Sequence, residues 1–156
     1  MVHRDNPRLQ AELARVGTDP LTEAWKFGPF AKAVAASQRP IKAIILDQQV
    51  AAGVGNIYAD EALFLAGIRP EVRGAKLSRP RMQKLFQAIP EVLRKGLEHG
   101  GTSFSDYVDA DGKKGSNQEQ LLVYGRYGQP CYVCQTTLLR TTVAQRTSSW
   151  CKVCQK

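Results

Sequence analysis

The first 130 residues contain no cysteine. No disulfide framework can hold that part of the chain, so a packed core must. No apolar run approaches the ~20 residues that a membrane-spanning helix needs. The opening MVHRDNPRLQAELARVG lacks the apolar segment of a secretory leader. Together these absences give the expectation of a cytoplasmic protein with no membrane partner. Histidine is scarce, and His3 and His99 stand alone with no partner pattern around either. There is no P-loop, no G-x-S-x-G elbow and no internal repeat. Acids are missing altogether from Gln120 to Lys156, where Arg126, Arg140, Arg146, Lys152 and Lys156 are all basic.

What is present fits one sizeable domain with a small appendage in 156 residues. The net charge of +8 suggests a polyanionic partner, with nucleic acid first. A second basic cluster runs through Arg73, Lys76, Arg79, Arg81 and Lys84. The four cysteines form two pairs, Cys131-x-x-Cys134 and Cys151-x-x-Cys154, separated by 16 residues. That spacing is the pattern of a tetrahedral zinc site. The competing reading, redox pairs or disulfides, lacks a βαβ setting. Four thiolates leave no open coordination position, so the zinc is structural. With Zn²⁺ they contribute −2, which leaves the basic tail at about +3, suited to phosphate contact.

The periodicity is helical to about residue 110 and β-like after about 120. Residues 7–16 and 20–37 read as short helices broken at Gly17, Gly28 and Pro29, with Asp19 or Thr22 as a cap. Pro40 opens a helix that carries Ile41, Ile44, Ile45 and Ala52 to a stop at Gly53. The next helix runs from about Ile57 to Ala66, with Leu63 and Phe64 on its apolar side, and Gly67 closes it. Ser78 caps a long helix to about His99, buried along Leu85, Phe86, Ile89, Val92, Leu93 and Leu97 and kinked at Pro90. Thr102 starts one more turn, from Phe104 to Val108. The polar stretch DADGKKGSNQEQ follows as a loop. Leu121 to Tyr124 opens the β region, and 138–143 with 146–150 suit a hairpin. A module this small needs the metal for folding energy.

Three places can carry chemistry. Gly53-Val54-Gly55-Asn56 separates two helices. It is either a plain capped turn or an anion site, because free amides and the helix dipole favour phosphate there. Asn56 either caps the second helix or points outward from its N-terminus. Arg146, near the hairpin turn, is either a solvated arginine or a bidentate phosphate clamp. Asp60 and Glu61 read as acids suited to the macrodipole at a helix start, with no catalytic role.

IKAIILDQQVAAGVGNIYADEALFLAGIRP, together with VYGRYGQPCYVCQTTLLRTTVAQRTSSWCKVCQK, resembles the formamidopyrimidine-DNA glycosylase / endonuclease VIII family of base-excision repair enzymes. The resemblance implies a mainly α protein with a small β zinc-finger hairpin. Residues 1–110 would form a helix–two-turn–helix domain, 111–120 a glycine-rich loop, and 121–156 a zinc finger with Cys131, Cys134, Cys151 and Cys154 as the Zn²⁺ ligands. It implies that Asn56 contacts the phosphates around a lesion and that Lys42 lies close to the damaged nucleotide's backbone. Arg146 would contact a lesion phosphate and donate a proton in δ-elimination. Gly112 through Gln118, including Gly115, Ser116 and Asn117, would cover a flipped-out base.

The family's chemistry resides in an N-terminal β-sandwich with a Pro-Glu start, whereas this sequence opens Met1-Val2-His3-Arg4. The expectation is the damaged-DNA-binding portion of a glycosylase/AP lyase for oxidised purines, inactive by itself for want of nucleophile and acid. The alternatives are a free-standing zinc-dependent DNA-binding module and a subunit completed by a separate catalytic chain. In each case the partner is double-stranded DNA, preferably damaged or abasic.

Overall fold

The computed structural model describes residues 17–98 and 121–156. The expectations for 7–16, for 102–108 and for the glycine-rich loop, including Gly115, Ser116 and Asn117, lie outside the described residues.

Helix α1 spans Phe27–Ala35. The stretch before it turns instead of forming helix. Asp19 organises that turn, its carboxylate accepting the Leu21 amide at 2.9 Å and its carbonyl the Thr22 amide at 3.1 Å. Gly28 and Pro29 do not break α1. They lie in its first turn, where a missing proline N–H costs no intrahelical bond.

Helix α2 is short, Ile41–Leu46, with Pro40 directly before it. It stops well before Gly53, because Asp47 leaves the helical conformation and the chain makes two turns. The Asp47 carbonyl accepts the amides of Val50 at 2.9 Å and Ala51 at 3.1 Å, and its carboxylate accepts Gln49 N–H at 2.9 Å. Gln48 staples the second turn. Its Nε2 donates to the carbonyls of Leu46 and Val54, each at 3.1 Å, and its Oε1 accepts the Gly53 amide at 2.7 Å. Gly53 sits at φ +88°, where a side chain would be strained.

Helix α3 spans Asn56–Ala66 and ends on Gly67 at φ +74°. It is the centre of the molecule, buried on nearly all sides. Leu63 joins the main core with Val34, Ile41, Ile44, Ile45, Leu85 and Ile89. Phe64 faces the other way, into a small second cluster with Val123, Cys131, Leu138 and Cys151. A helix that is apolar on opposite faces can only be stable between two partners.

Helix α4 runs Arg79–Glu98, directly after Ser78. Its stripe is buried at Met82, Leu85, Ala88, Ile89 and Val92, whereas Leu97, expected in that stripe, is 69% exposed. Pro90 lies inside α4 and removes the amide that would bond to the Phe86 carbonyl. Trp25 Nε1 donates to that carbonyl at 3.1 Å, and its ring stacks on Phe86 at 5.1 Å.

Leu121 to Tyr124 is a bend that leads into a turn, not a strand. The hairpin follows as β1 (Leu139–Val143) and β2 (Arg146–Trp150), antiparallel, with Val143 opposite Arg146. Ala144 and Gln145, both at positive φ (52° and 64°), make the two-residue turn. That conformation matches the twist of the flanking strands.

Candidate nucleic-acid interface and metal centre

The four cysteines of the knuckles flanking the hairpin carry free thiols. Their Sγ atoms all lie within 4.8 Å of one another. Cys131 and Cys154 are 3.9 Å apart, and Cys134 and Cys151 are 3.4 Å apart. A tetrahedral ion with metal–sulfur bonds of about 2.3 Å needs sulfur–sulfur edges of about 3.8 Å, so the donor set fits a tetrahedral metal. Amides already point at sulfur: Val133 N–H to Cys131 at 3.4 Å and Cys154 N–H to Cys151 at 3.3 Å. Hydrogen bonding from Thr136 holds the Cys134 thiol down at about 6. Burial and the neighbouring sulfurs push Cys154 up, and burial pushes Cys151 up. Crowded thiols cannot all ionise unless a cation joins them.

The second knuckle is bolted to the end of α3. Buried Gln155 accepts the Cys151 amide at 2.8 Å and donates to the Ile68 carbonyl at 2.8 Å. Arg69 donates to the carbonyls of Gln155 and Lys152, at 3.1 and 3.3 Å.

At the opposite end of α3, Gly55 is the N-cap residue and no side chain caps the helix. Asn56 is the first helical residue and not the cap. Its Nδ2 reaches across to the hairpin and donates to the Thr147 carbonyl at 3.2 Å. An amide nitrogen carries two hydrogens, so one remains for another acceptor. Arg146, the residue before Thr147, is exposed at the start of β2. Tyr124, Gly125, Tyr127 and Ser149 line a cleft beside Asn56 and Thr147.

Lys42 is fully buried. Its ammonium does not face solvent, but lies 2.8 Å from an Asp60 carboxylate oxygen and donates to the Thr147 carbonyl at 3.0 Å. Burial pushes the Lys42 amine down, and the charge of Asp60 works against that shift. Burial pushes Asp60 up, opposed by Lys42 and by hydrogen bonds from Ser148 and Ser149. Those bonds run from Ser148 Oγ at 2.7 Å and from the Ser149 amide at 3.0 Å.

Asp60 and Glu61 therefore do not serve the helix dipole. They lie past the first turn of α3, which contains no acid, and both are buried. Glu61 accepts three consecutive amides, from Leu122 (2.6 Å), Val123 (2.8 Å) and Tyr124 (2.9 Å). Burial pushes its carboxyl up while these amides pull it down. The sequence suggests a dipole role for Asp60 and Glu61 and gives no sign of Ser148 and Ser149 as partners of Asp60. One usable signal was the i, i+4 spacing of Asn56 and Asp60, which puts both on one face of α3. The partners across that face are long-range and leave no local pattern.

The structure thus brings Asn56 and Arg146 to one edge, with Lys42 buried beneath it instead of facing a ligand, and the four cysteines to one centre. Among the described residues, no helix is long and apolar enough to cross a membrane.

Comparison with known proteins accords with this architecture. The family model for the formamidopyrimidine-DNA glycosylase H2TH domain matches residues 16–108. A formamidopyrimidine-DNA glycosylase of Desulfitobacterium hafniense is 44% identical over 155 residues, covering 99% of this chain and 57% of the relative. One from Herpetosiphon aurantiacus is 46% identical over 151 residues, covering 97% and 55%. The crystal structure of the MutM (Fpg) protein of Thermus thermophilus superposes with a TM-score of 0.87 at 43% identity, covering 99% of this chain and 59% of that one. Lactococcus lactis Fpg, non-covalently bound to DNA containing an AP site, superposes at 0.85 with 33% identity, covering 97% and 55%. The chain spans just over half the length of the curated relatives it matches. It belongs to the formamidopyrimidine-DNA glycosylase family, through the H2TH domain that its first hundred or so residues carry.

Proposed function

We propose that this chain grips the phosphate backbone of duplex DNA at a damaged or abasic nucleotide. It would do so as the DNA-binding part of a base-excision repair glycosylase/AP lyase acting on oxidised purines. The observation that supports this reading is the edge where Asn56 bonds to the residue that follows exposed Arg146. Two motifs far apart in sequence are tied together there through the Thr147 carbonyl, with a spare amide hydrogen on one side and a guanidinium on the other. Phosphate at an uncapped helix N-terminus gains from the free amides and the dipole. Arginine adds a bidentate, permanently charged contact. Lys42, paired with Asp60, holds the Thr147 carbonyl from beneath.

Gly55 supports the same reading. Its backbone is extended, at φ −99°, and among the described residues nothing lies within 4 Å of where a Cβ would be. No described residue requires glycine there, but a closely approaching nucleic-acid backbone would. The Lactococcus relative in complex with AP-site DNA lends further support. In the whole protein, Gly115, Ser116 and Asn117 would cover the extruded base, and Arg146 would take the family's proton-donor role in δ-elimination. The metal we assign is one Zn²⁺, since four thiolates in a tetrahedron favour it. The compartment we assign is a cytoplasm that holds DNA and keeps thiols reduced.

The test is anisotropy of a labelled duplex carrying a tetrahydrofuran abasic analogue, titrated with the chain at several salt concentrations. Arg146→Ala is expected to weaken binding about tenfold, as for loss of one charge-assisted contact. It should also reduce the salt slope by about 1. Binding that is unchanged in affinity and slope would sink the reading.

A further inference from the structure

Resting on that reading, the arrangement below the edge has a purpose of its own. Asp60 is 1% exposed and Lys42 0%. A buried ion pair contributes little net stability, because both charges are desolvated. This one is joined to four hydrogen bonds that all end on one short segment. Ser148 Oγ and the Ser149 amide donate to Asp60, while the Lys42 ammonium and Asn56 Nδ2 donate to the Thr147 carbonyl. The segment is the stretch of β2 that follows Arg146.

Elementary geometry explains the consequence. Asn56 lies four residues before Asp60 on α3, about 6 Å along the helix axis and on the same face. Arg146 lies two residues before Ser148 on β2, about 7 Å along the strand and on the same face. The two steps nearly match. With Asp60 holding Ser148, Arg146 is brought beside the N-terminus of α3. A slip of one residue would turn Arg146 to the other face of the hairpin.

We propose that Asp60 is a positioning residue: it sets the register of β2 against α3 and thereby aims Arg146 at the phosphate that Asn56 also contacts. Lys42 neutralises it and holds the intervening carbonyl. Asp60 touches no DNA and acts through Arg146.

The proposal makes a prediction opposite in sign to bulk electrostatics. Asp60→Asn removes a negative charge near a polyanion site, which by charge alone tightens DNA binding. Loss of positioning loosens it. The experiment compares the 156-residue chain with Arg146→Ala, Asp60→Asn and the double variant, each loaded with Zn²⁺, on the abasic-analogue duplex. Zinc content and a cooperative thermal transition are recorded for each. The expected result is about tenfold weaker binding for Asp60→Asn, a salt slope reduced as in Arg146→Ala, and a double variant no weaker than Arg146→Ala alone. Non-additivity of this kind marks one residue acting through another.

Wild-type or tighter binding by Asp60→Asn would overturn the proposal. So would a full additive loss in the double variant. If Asp60→Asn lacks a cooperative transition, Ser148→Ala decides by the same criteria, since it removes one hold without a charge. If Arg146→Ala alone leaves binding unchanged, the phosphate-contact reading itself has failed and the proposal falls with it. That outcome is distinct from a failure at Asp60.

Discussion

Gly55 and Gly53 stand two residues apart and differ in why they are glycine. Gly53 occupies the left-handed region at φ +88°, so the second turn itself requires it. Gly55 has an extended backbone, with open space above it among the described residues. Substituting Gly55 by alanine should therefore leave the fold intact, with a stability change of about 1 kcal/mol or less, as for an N-cap exchange. It should weaken duplex binding, because the added methyl stands between the helix terminus and its ligand. Thermal unfolding and anisotropy on the same sample separate the two effects. A parallel fall in both, or no fall in binding, would remove Gly55 from the interface. The Trp25 indole replaces the helical donor that Pro90 cannot supply to the Phe86 carbonyl, so one local exception is answered by one distant side chain.

Helix α3 does three jobs along 11 residues. Its start carries Asn56, its middle carries the paired acids, and its end is clasped by the second cysteine knuckle. Glu61 is the clearest structural element among these. Three buried or half-buried amides converge on one carboxylate, fixing the chain where it enters the four-cysteine module. Glu61→Ala would leave them unsatisfied, and a lost acceptor of this kind costs about 1–3 kcal/mol per group. The expected loss is about 3 kcal/mol or more by urea denaturation. Glu61→Gln, which keeps an accepting oxygen, should lose less. Equal losses, or none, would show that the amides find other partners.

On the scale of the whole molecule, the second core is tiny: Phe64, Val123, Leu138 and the buried cysteines. Such a cluster cannot hold 36 residues of hairpin and knuckles without help. Metal removal by a chelator should therefore unfold residues 121–156, with loss of hairpin circular dichroism and exposure of Phe64. The helical core around Leu63, Ile44 and Leu85 should persist as a separate transition, and readdition of Zn²⁺ should restore a single one. A hairpin that survives the chelator would refute the metal assignment. Loss of the module should also abolish selective binding to abasic DNA, because Arg146 is carried by it.

Much was legible in the sequence because it is local. The CxxC spacing specifies a metal site, Gly67 ends a helix, Ala144 and Gln145 sit where a two-residue turn is due, and the 3.6 periodicity marks α4. Each depends on neighbours within a few residues. The extent of α2 was misread because apolar spacing continues past Leu46, while Asp47 and Gln48 use their side chains to hold turns instead. Leu121 to Tyr124, apolar enough to suggest the opening of the β region, forms no strand because the amides of Leu122, Val123 and Tyr124 bond to Glu61. The macrodipole reading of Asp60 and Glu61 failed for the same reason. The sequence alone offered Asn56, Lys42 and Arg146 as candidates for a phosphate contact and the four cysteines as a metal-binding set. Only the tertiary structure decided that Lys42 is buried beneath that edge and that Asp60 ties the hairpin to α3. The cause is physical: a buried charge is assigned its partner by packing across the whole chain, and no local spacing encodes it.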